Sequence, residues 1–237
     1  MFRFNVYLLE ILFLFITGLI PLLWYKDGTM ALGHDMSFPL APLDYFKDRL
    51  YTWSERMGSF GSNQTDSIPG LFIHGLEALL YYLGLSLANT QKLTFIFWFT
   101  LPGITMYILL KSLHPKKEDF VIRLSGSLFY MLNHYLLQAW TIAERTKFSI
   151  VAALPIVTLI IISVIYKKTS IVKGSILLSL TLFFLNGGAG IPLLGGLILV
   201  GLTTLIITST FAPNILFNKL KIAFVFSTLA IIFTILL

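Results

Sequence analysis

Acidic residues are concentrated in one part of the sequence, between Lys26 and Leu87. A carboxylate can accept the proton of a reacting hydroxyl or hold a metal ion, so this part is where chemistry is most strongly indicated. The alternative is that a polar segment carries acids only for solvation. Seven of the 11 Asp and Glu residues lie there: Asp27, Asp35, Asp44, Asp48, Glu55, Asp66 and Glu77.

The segment 26–69 is the only long polar stretch of the chain. It lacks a clear helical or strand period, and long irregular loops are usually kept because they bind or react with something. Beside the acids it offers side chains able to bind a polar substrate. The candidates for substrate binding in this loop are His34, Asp44, Arg49, Trp53, Asn63 and Gln64.

The composition indicates a membrane protein. Of the 237 residues, 57% are hydrophobic and 12% are charged, about half the charged fraction of an ordinary soluble domain. The formal charge of +6 is explained by basic residues at the ends of spans, so no nucleic-acid partner is indicated. Without cysteine the chain has no disulfide, thiolate metal site or Cys nucleophile.

Apolar runs predict an all-α bundle of about seven transmembrane spans, with an eighth if 70–87 also crosses. Each run approaches the roughly 18 to 20 residues that a bilayer requires. The predicted spans are Val6–Tyr25, Thr94–Leu113, Leu124–Ala139, Phe148–Tyr166, Ile171–Leu185, Ile191–Phe211 and Ile222 onward.

Basic residues predict the orientation, since Lys and Arg collect in short cytoplasmic loops. With a cytoplasmic N-terminus and seven spans, ten of the 17 basic residues fall inside, and the loop 26–69 faces the extracytoplasmic side. Segment 70–87 is then predicted to be an interfacial helix, because a crossing there would move every later loop to the opposite side of the membrane. Glu10 is expected to pair locally at the inner end of the first span.

The sequence reads as a single transmembrane domain over 1–237. Its last apolar segment stops without a flanking charge, so we expect the chain to be the N-terminal part of a longer protein.

The run from Gly33 to Leu110 resembles the N-terminal region of the alpha-(1,3)-arabinofuranosyltransferase-like membrane glycosyltransferases, which belong to the GT-C fold class. In that family an outer loop with an Asp leads to prolines, an aromatic and basic segment ending in Trp, a Gly before Asn-Gln, and an interfacial helix. The matching features here are Asp35, Pro39 to Pro42, Tyr45 to Trp53, Gly61 with Asn63-Gln64, and 70–87. This chain departs by placing a His before the Asp and no second acid soon after it.

The resemblance implies an enzyme of the cytoplasmic membrane that moves a sugar from a polyprenyl-phosphate donor to a glycan or lipid-linked acceptor on the outer side. Such a transfer needs a carboxylate near the acceptor hydroxyl and cations near the departing phosphate. Asp35 is the predicted base or metal ligand, with Asp44 in reserve; a loop-capping role is the alternative for Asp35. The bilayer itself is the other expected partner.

Two further groups of polar residues are candidates for the site. His74 and Glu77 are three residues apart and would share a helix face, where they could join Asp35 around a divalent cation; hydrogen bonding to the loop is the alternative. His134, Glu144 and Arg145 cluster toward the outer side. Arg145 is the predicted donor-phosphate ligand, because a guanidinium matches phosphate oxygens in pairs, and an interfacial anchor is the alternative.

The rival hypothesis is a polytopic transporter or flippase for a lipid or saccharide, with the outer loop as a lid. Transporters often carry broken or polar helices at the midplane in two repeated halves, and no internal repeat is evident. A noncatalytic scaffold of the same fold is a third reading. No nucleotide site is predicted, because the glycine-rich turn 186–190 lacks the following Lys-Ser/Thr of a phosphate-binding loop.

Overall fold

The computed structural model describes residues 6–24, 26, 28–31, 38–51, 53–54, 62–63, 70–141, 145–185, 199–204 and 206–207. Within these ranges the fold is all-helical, as predicted, apart from one short β ladder. The helices are α1 (Val6–Thr17), α2 (Pro42–Arg49), α3 (Leu71–Tyr82), α4 (Leu87–Leu113), α5 (Phe120–Met131), α6 (His134–Thr141), α7 (Arg145–Ile165) and α8 (Ile171–Phe184), with 3₁₀ turns at Ile20–Trp24 and Lys117–Asp119. Strands β1 (Trp53–Ser54) and β2 (Ser62–Asn63) pair antiparallel.

Three helical segments in the described part of the chain are long and apolar enough to cross a membrane. They are Val6–Trp24, Leu87–Leu113 and Lys147–Ile165, with mean hydropathies of 2.4, 1.8 and 2.8. These segments identify a membrane protein. The predicted span from Ile222 lies outside the described residues and the one at Ile191–Phe211 lies largely outside them, so the count of seven stays a prediction.

The first span and α4 run in opposite directions. Near the start of α1, the Tyr7 hydroxyl donates to the Pro115 carbonyl, 2.7 Å away, just beyond the end of α4. After the first span, Ala31 exchanges two 2.7 Å hydrogen bonds with the Gln91 side chain in the first turns of α4. We call the end with Gln91 the loop end of the bundle and the end with Pro115 the turn end.

The chain therefore leaves α1 and enters α4 at the same end of the bundle. Helix α3 lies between these two points, and its 12 residues span about 18 Å, short of the roughly 30 Å hydrocarbon layer. This arrangement favours the predicted interfacial helix over an eighth span. The side of the membrane that the loop end faces stays a prediction.

Helix α3 ends earlier, and α4 begins earlier, than the sequence predicted. The helix predicted over 70–87 stops at Tyr82, because Gly84 adopts a left-handed φ of 92° that turns the chain. Ser86 then caps α4 by accepting a hydrogen bond from the Asn89 amide at 3.3 Å. Because the first two turns of α4 contain polar residues, apolar runs alone did not predict that the helix begins here.

The predicted continuous span Leu124–Ala139 is wrong, since the structure divides it into α5 and α6. Asn133 makes the division: its side-chain amide donates to the Tyr130 carbonyl at 2.6 Å, and its oxygen accepts from the Leu136 amide at 3.0 Å. Asn thereby closes one helix and caps the next, a role for which its short polar side chain is well suited.

Close helix packing brings α1, α4 and α5 together. A Cβ on Gly18 would lie 1.8 Å from the Thr100 hydroxyl oxygen, and one on Gly103 would lie 3.0 Å from the Met131 sulfur. Small residues at such crossings let helix backbones approach closely. Trp98 and Phe148 are fully buried where α4 meets α7, so the bundle has a packed centre that holds its two ends apart.

Candidate functional site

Three ionisable side chains meet at the loop end of the bundle. Arg145, the first residue of α7, forms an ion pair with Oε1 of Glu77 on α3. Nδ1 of His74 lies 3.2 Å from Oε2 of the same carboxylate. Glu77 is fully buried and Arg145 is 4% exposed, and burial of charge at this depth is tolerated only when the charges are paired.

Helix geometry explains why His74 and Glu77 converge. Residues three apart lie on one face of a helix, and the prediction that these two share a face is confirmed. Arg145 comes from a different helix, 68 positions after Glu77 in the sequence. The tertiary packing of α3 and the start of α7 at one end of the bundle brings them together.

Helix α2 supplies a second arginine to the site. The Arg49 guanidinium lies 4.6 Å from the centre of the Tyr45 ring and donates a hydrogen bond to the Tyr45 hydroxyl. The Tyr45 ring in turn meets the His74 ring edge to face, with 4.8 Å between their centres. We call His74, Glu77, Arg145, Tyr45 and Arg49 the loop-end cluster.

Arg49 retains unused donor capacity. Its Nε is buried and has no hydrogen-bond partner among the residues that the structure describes. A buried donor left unpaired costs free energy, so an acceptor supplied by a ligand would bind there favourably. Arg49 also acts on α3 electrostatically, since its charge contributes to lowering the pKa of His74.

Aromatic residues close the cluster from two sides. The ring of Phe38, itself 4% exposed, lies 5.3 Å from the Arg145 guanidinium carbon, within the range of a cation–π contact. Phe46 of α2 packs so closely on α3 that a Cβ at Gly75 would lie 3.2 Å from its ring. Phe38 therefore lies directly over Arg145.

The electrostatics of the cluster favour an anion. Burial, with further contributions from Arg145 and Arg49, lowers the pKa of His74 from 6.5 to about 3. The ring is therefore neutral at pH 7, and it carries its proton on Nδ1 in order to donate to Glu77. Among the five residues of the loop-end cluster, two guanidinium groups and one carboxylate are then charged, so the cluster itself carries a net positive charge.

Comparisons of this chain with protein-family models, with curated proteins and with solved structures found no match. The geometry of the chain itself therefore carries the functional argument.

The other predicted site residues lie outside the loop-end cluster or outside the described residues. Asp44 is exposed in the first turn of α2. Trp53, 57% exposed, lies opposite Asn63 in the β ladder. His134 is exposed at the start of α6. The predicted residues that lie outside the described ranges are His34, Asp35, Gln64 and Glu144.

The predicted metal site is only partly within the described residues. In the described ranges no group of three or more His, Cys, Asp or Glu side chains converges as metal ligands would. His74 and Glu77 do lie together, but Asp35, the third predicted ligand, is outside those ranges. The Glu77 carboxylate meets Arg145 through one oxygen and His74 through the other, and the metal site stays a prediction.

A second buried ion pair lies at the turn end. Arg123 of α5 bonds both oxygens of Glu10 on α1, from Nε at 2.9 Å and from the second terminal nitrogen at 2.6 Å. Its remaining nitrogen donates to the carbonyls of His114, at 2.8 Å, and of Lys116. Glu10 was expected to pair locally, but its partner is 113 residues away in the sequence. We call Glu10, Arg123 and the adjacent Tyr7 the turn-end cluster.

Sequence reasoning missed the pairing of Glu77 with Arg145 and the part played by Tyr45. Tyr45 and Arg49 are four residues apart, so the helical spacing of α2 was a usable signal. Nothing local links Glu77 to Arg145, and only the arrangement of helices reveals that pair.

Proposed function

We propose that this chain is a membrane glycosyltransferase of GT-C type that transfers a sugar from a polyprenyl-phosphate donor to a glycan or lipid-linked acceptor. The observation that carries the proposal is the loop-end cluster, in which Arg145 pairs with the buried Glu77 and Arg49 keeps a buried Nε with no partner among the described residues. A lipid-linked donor presents its phosphate at the membrane surface. The net positive charge of this cluster suits that phosphate better than it suits a neutral saccharide.

In the proposed reaction the acceptor hydroxyl oxygen attacks the anomeric carbon of the donor sugar. A new glycosidic bond forms, the bond from that carbon to the phosphate oxygen breaks, and polyprenyl phosphate leaves. Asp35 takes the proton of the attacking hydroxyl. Asp35 stands three residues before Phe38 in the sequence, so a short stretch of chain tethers it to the residue that covers Arg145.

The arginines stabilise the charge on the leaving phosphate. Arg49 contributes the donor group that has no partner within the described residues, and Arg145 contributes charge from beneath. Glu77 and His74 act as positioning residues, because Glu77 fixes Arg145 and is itself held by the neutral His74 ring. Exposed aromatic residues such as Trp53 offer surfaces on which sugar rings stack.

Asp35→Asn is the test of the proposed base. The change is nearly isosteric and removes the proton acceptor, so the rate of sugar transfer should fall by about a hundredfold to ten-thousandfold. The assay measures transfer of labelled sugar from a panel of polyprenyl-phosphate donors in membranes that contain the protein. Asp119→Asn, at the turn end, is the matched control and should transfer at the parental rate.

A parental rate for Asp35→Asn, with a donor that the parent uses, would show that the base is assigned wrongly. If the parent carries a lipid-linked saccharide across the bilayer without forming a glycosidic bond, the transporter hypothesis replaces the enzyme hypothesis.

A further inference from the structure

A second candidate site lies at the turn end, away from the loop-end cluster. It is a cleft of about 410 Å³ between α1 and α5, within the range of roughly 300–1,000 Å³ typical of ligand sites. Its walls are almost entirely apolar. The side chains that define it are Leu9, Phe13, Phe120 and Leu124 along its length, Glu10 inside and Lys117 at one end.

The charge of this cleft is positive. Both oxygens of Glu10 are bonded to Arg123, so the pair contributes no net charge. Lys117 is exposed and Lys116 precedes it, and among the described residues no carboxylate lies within ion-pair distance of either lysine. Lys117 lines the cleft, whereas its sequence neighbours Lys116, Glu118 and Asp119 do not. The positive charge of the lining is therefore that of Lys117.

The backbone of the turn that leads to Lys117 is held in place by side chains of the helices beneath it. Arg123 donates to the carbonyls of His114 and Lys116, and the Tyr7 hydroxyl donates to the carbonyl of Pro115 between them. Three successive carbonyls of this turn are thus bonded to side chains of the helices below. A basic turn fixed in this way loses little further freedom when it binds a ligand.

We propose that this cleft binds an anionic phospholipid. Lys116 and Lys117 hold its phosphate, and one acyl chain lies along the apolar walls, where Leu9, Phe13 and Phe120 are each almost half exposed at 46%, 48% and 47%. An apolar groove that ends at Lys117, with Lys116 beside it in the sequence, matches the shape and charge of such a lipid. This site is independent of the proposed sugar transfer.

The test compares binding of phosphatidylglycerol and phosphatidylcholine with identical acyl chains to the purified full chain in detergent, by native mass spectrometry. We expect the parent to bind phosphatidylglycerol about tenfold more tightly. Replacing both cations, in K116Q/K117Q, should abolish this preference. The control K168Q/K173Q removes two exposed lysines from outside the cleft and should retain it.

A second variant tests the acyl-chain seat. L124W keeps every charge but places a larger side chain in the cleft, so phosphatidylglycerol binding should fall about tenfold. Equal binding of the two lipids by the parent would overturn the proposal. So would equal losses in K116Q/K117Q and K168Q/K173Q, parental binding in L124W, or displacement of the lipid by millimolar inorganic phosphate.

Discussion

Each end of the bundle buries a Glu–Arg ion pair, but the hydrogen-bonding groups around the two pairs are satisfied to different extents. At the turn end each of the three Arg123 nitrogens has a partner, in the Glu10 carboxylate or in backbone carbonyls. At the loop end the Glu77 carboxylate is shared between His74 and Arg145. Arg49, next to them, keeps a buried nitrogen with no partner in the described residues.

This difference separates a structural role from a binding role. A fully satisfied buried pair has no capacity left for a ligand, and its loss leaves a charge stranded in a low-dielectric interior. A cluster with more cationic donors than acceptors gains when an anion arrives. We therefore expect changes in the Glu10–Arg123 pair to affect stability and changes in the loop-end cluster to affect sugar transfer.

The largest expected effect is on stability at the turn end. Arg123→Met leaves the Glu10 carboxylate buried and unpaired, so it should lower the free energy of unfolding by about 3–5 kcal/mol. The measurement is thermal unfolding of the purified protein in detergent. Adding Glu10→Leu to Arg123→Met removes the stranded charge and should restore much of the loss.

If Arg123→Met unfolds at the parental temperature, the turn-end pair contributes nothing to the fold and the contrast between the ends fails.

The next effect is on donor binding at the loop end. Arg49→Lys keeps the charge but loses the planar guanidinium and the Nε hydrogen-bond donor. The KM for the lipid-linked sugar should therefore rise about tenfold, a loss typical of one charged hydrogen bond. The kcat should change less. Lys47→Gln, on the exposed face of the same helix, is the control and should leave the donor KM unchanged.

Equal donor KM values for the parent and Arg49→Lys would remove Arg49 from the phosphate site. If the donor KM rises equally in Arg49→Lys and Lys47→Gln, the effect comes from the overall charge of α2 and not from Arg49.

At neutral pH the smallest effect is that of His74, because its ring is uncharged there in the folded protein and its contribution to stability changes only as the pH falls. Its pKa is about 3 in the folded protein and 6.5 in its ordinary state, so between these values the unfolded chain binds more protons. Stability should therefore fall as the pH drops from about 6.5 toward 3, by at most about 1.4 kcal/mol per pH unit. His74→Gln, which can still donate to Glu77, should flatten this slope.

Unfolding temperatures measured across that pH range for the parent and His74→Gln test this prediction. Superimposable pH profiles would show that His74 is not buried as a neutral ring.

The sequence could predict what depends on local pattern. Apolar runs identified the helical membrane fold, and three-residue spacing placed His74 and Glu77 on one face. It missed the break at Asn133, because a single polar residue in an apolar run does not reveal whether it caps a helix end. Hydropathy also missed the polar start of α4.

The partners of the buried charges could not be predicted. Glu10 with Arg123 and Glu77 with Arg145 are joined by helix packing between distant parts of the chain. Charge within apolar helices did indicate that partners exist, since an unpaired charge there is costly. Which charges pair depends on the order and direction of the helices, and that information is not local.

One matched pair of variants tests the contrast between the two ends most directly. Glu10→Gln and Glu77→Gln make the same chemical change in the two buried pairs, and each is measured for unfolding temperature and for sugar transfer per folded molecule. We expect Glu10→Gln to lower the unfolding temperature while its rate of sugar transfer stays within about twofold of the parental rate. We expect Glu77→Gln to lower the rate of sugar transfer about tenfold or more, the effect of one charged hydrogen bond. Parental transfer per folded molecule by Glu77→Gln would contradict the assignment of the loop end as the site of chemistry.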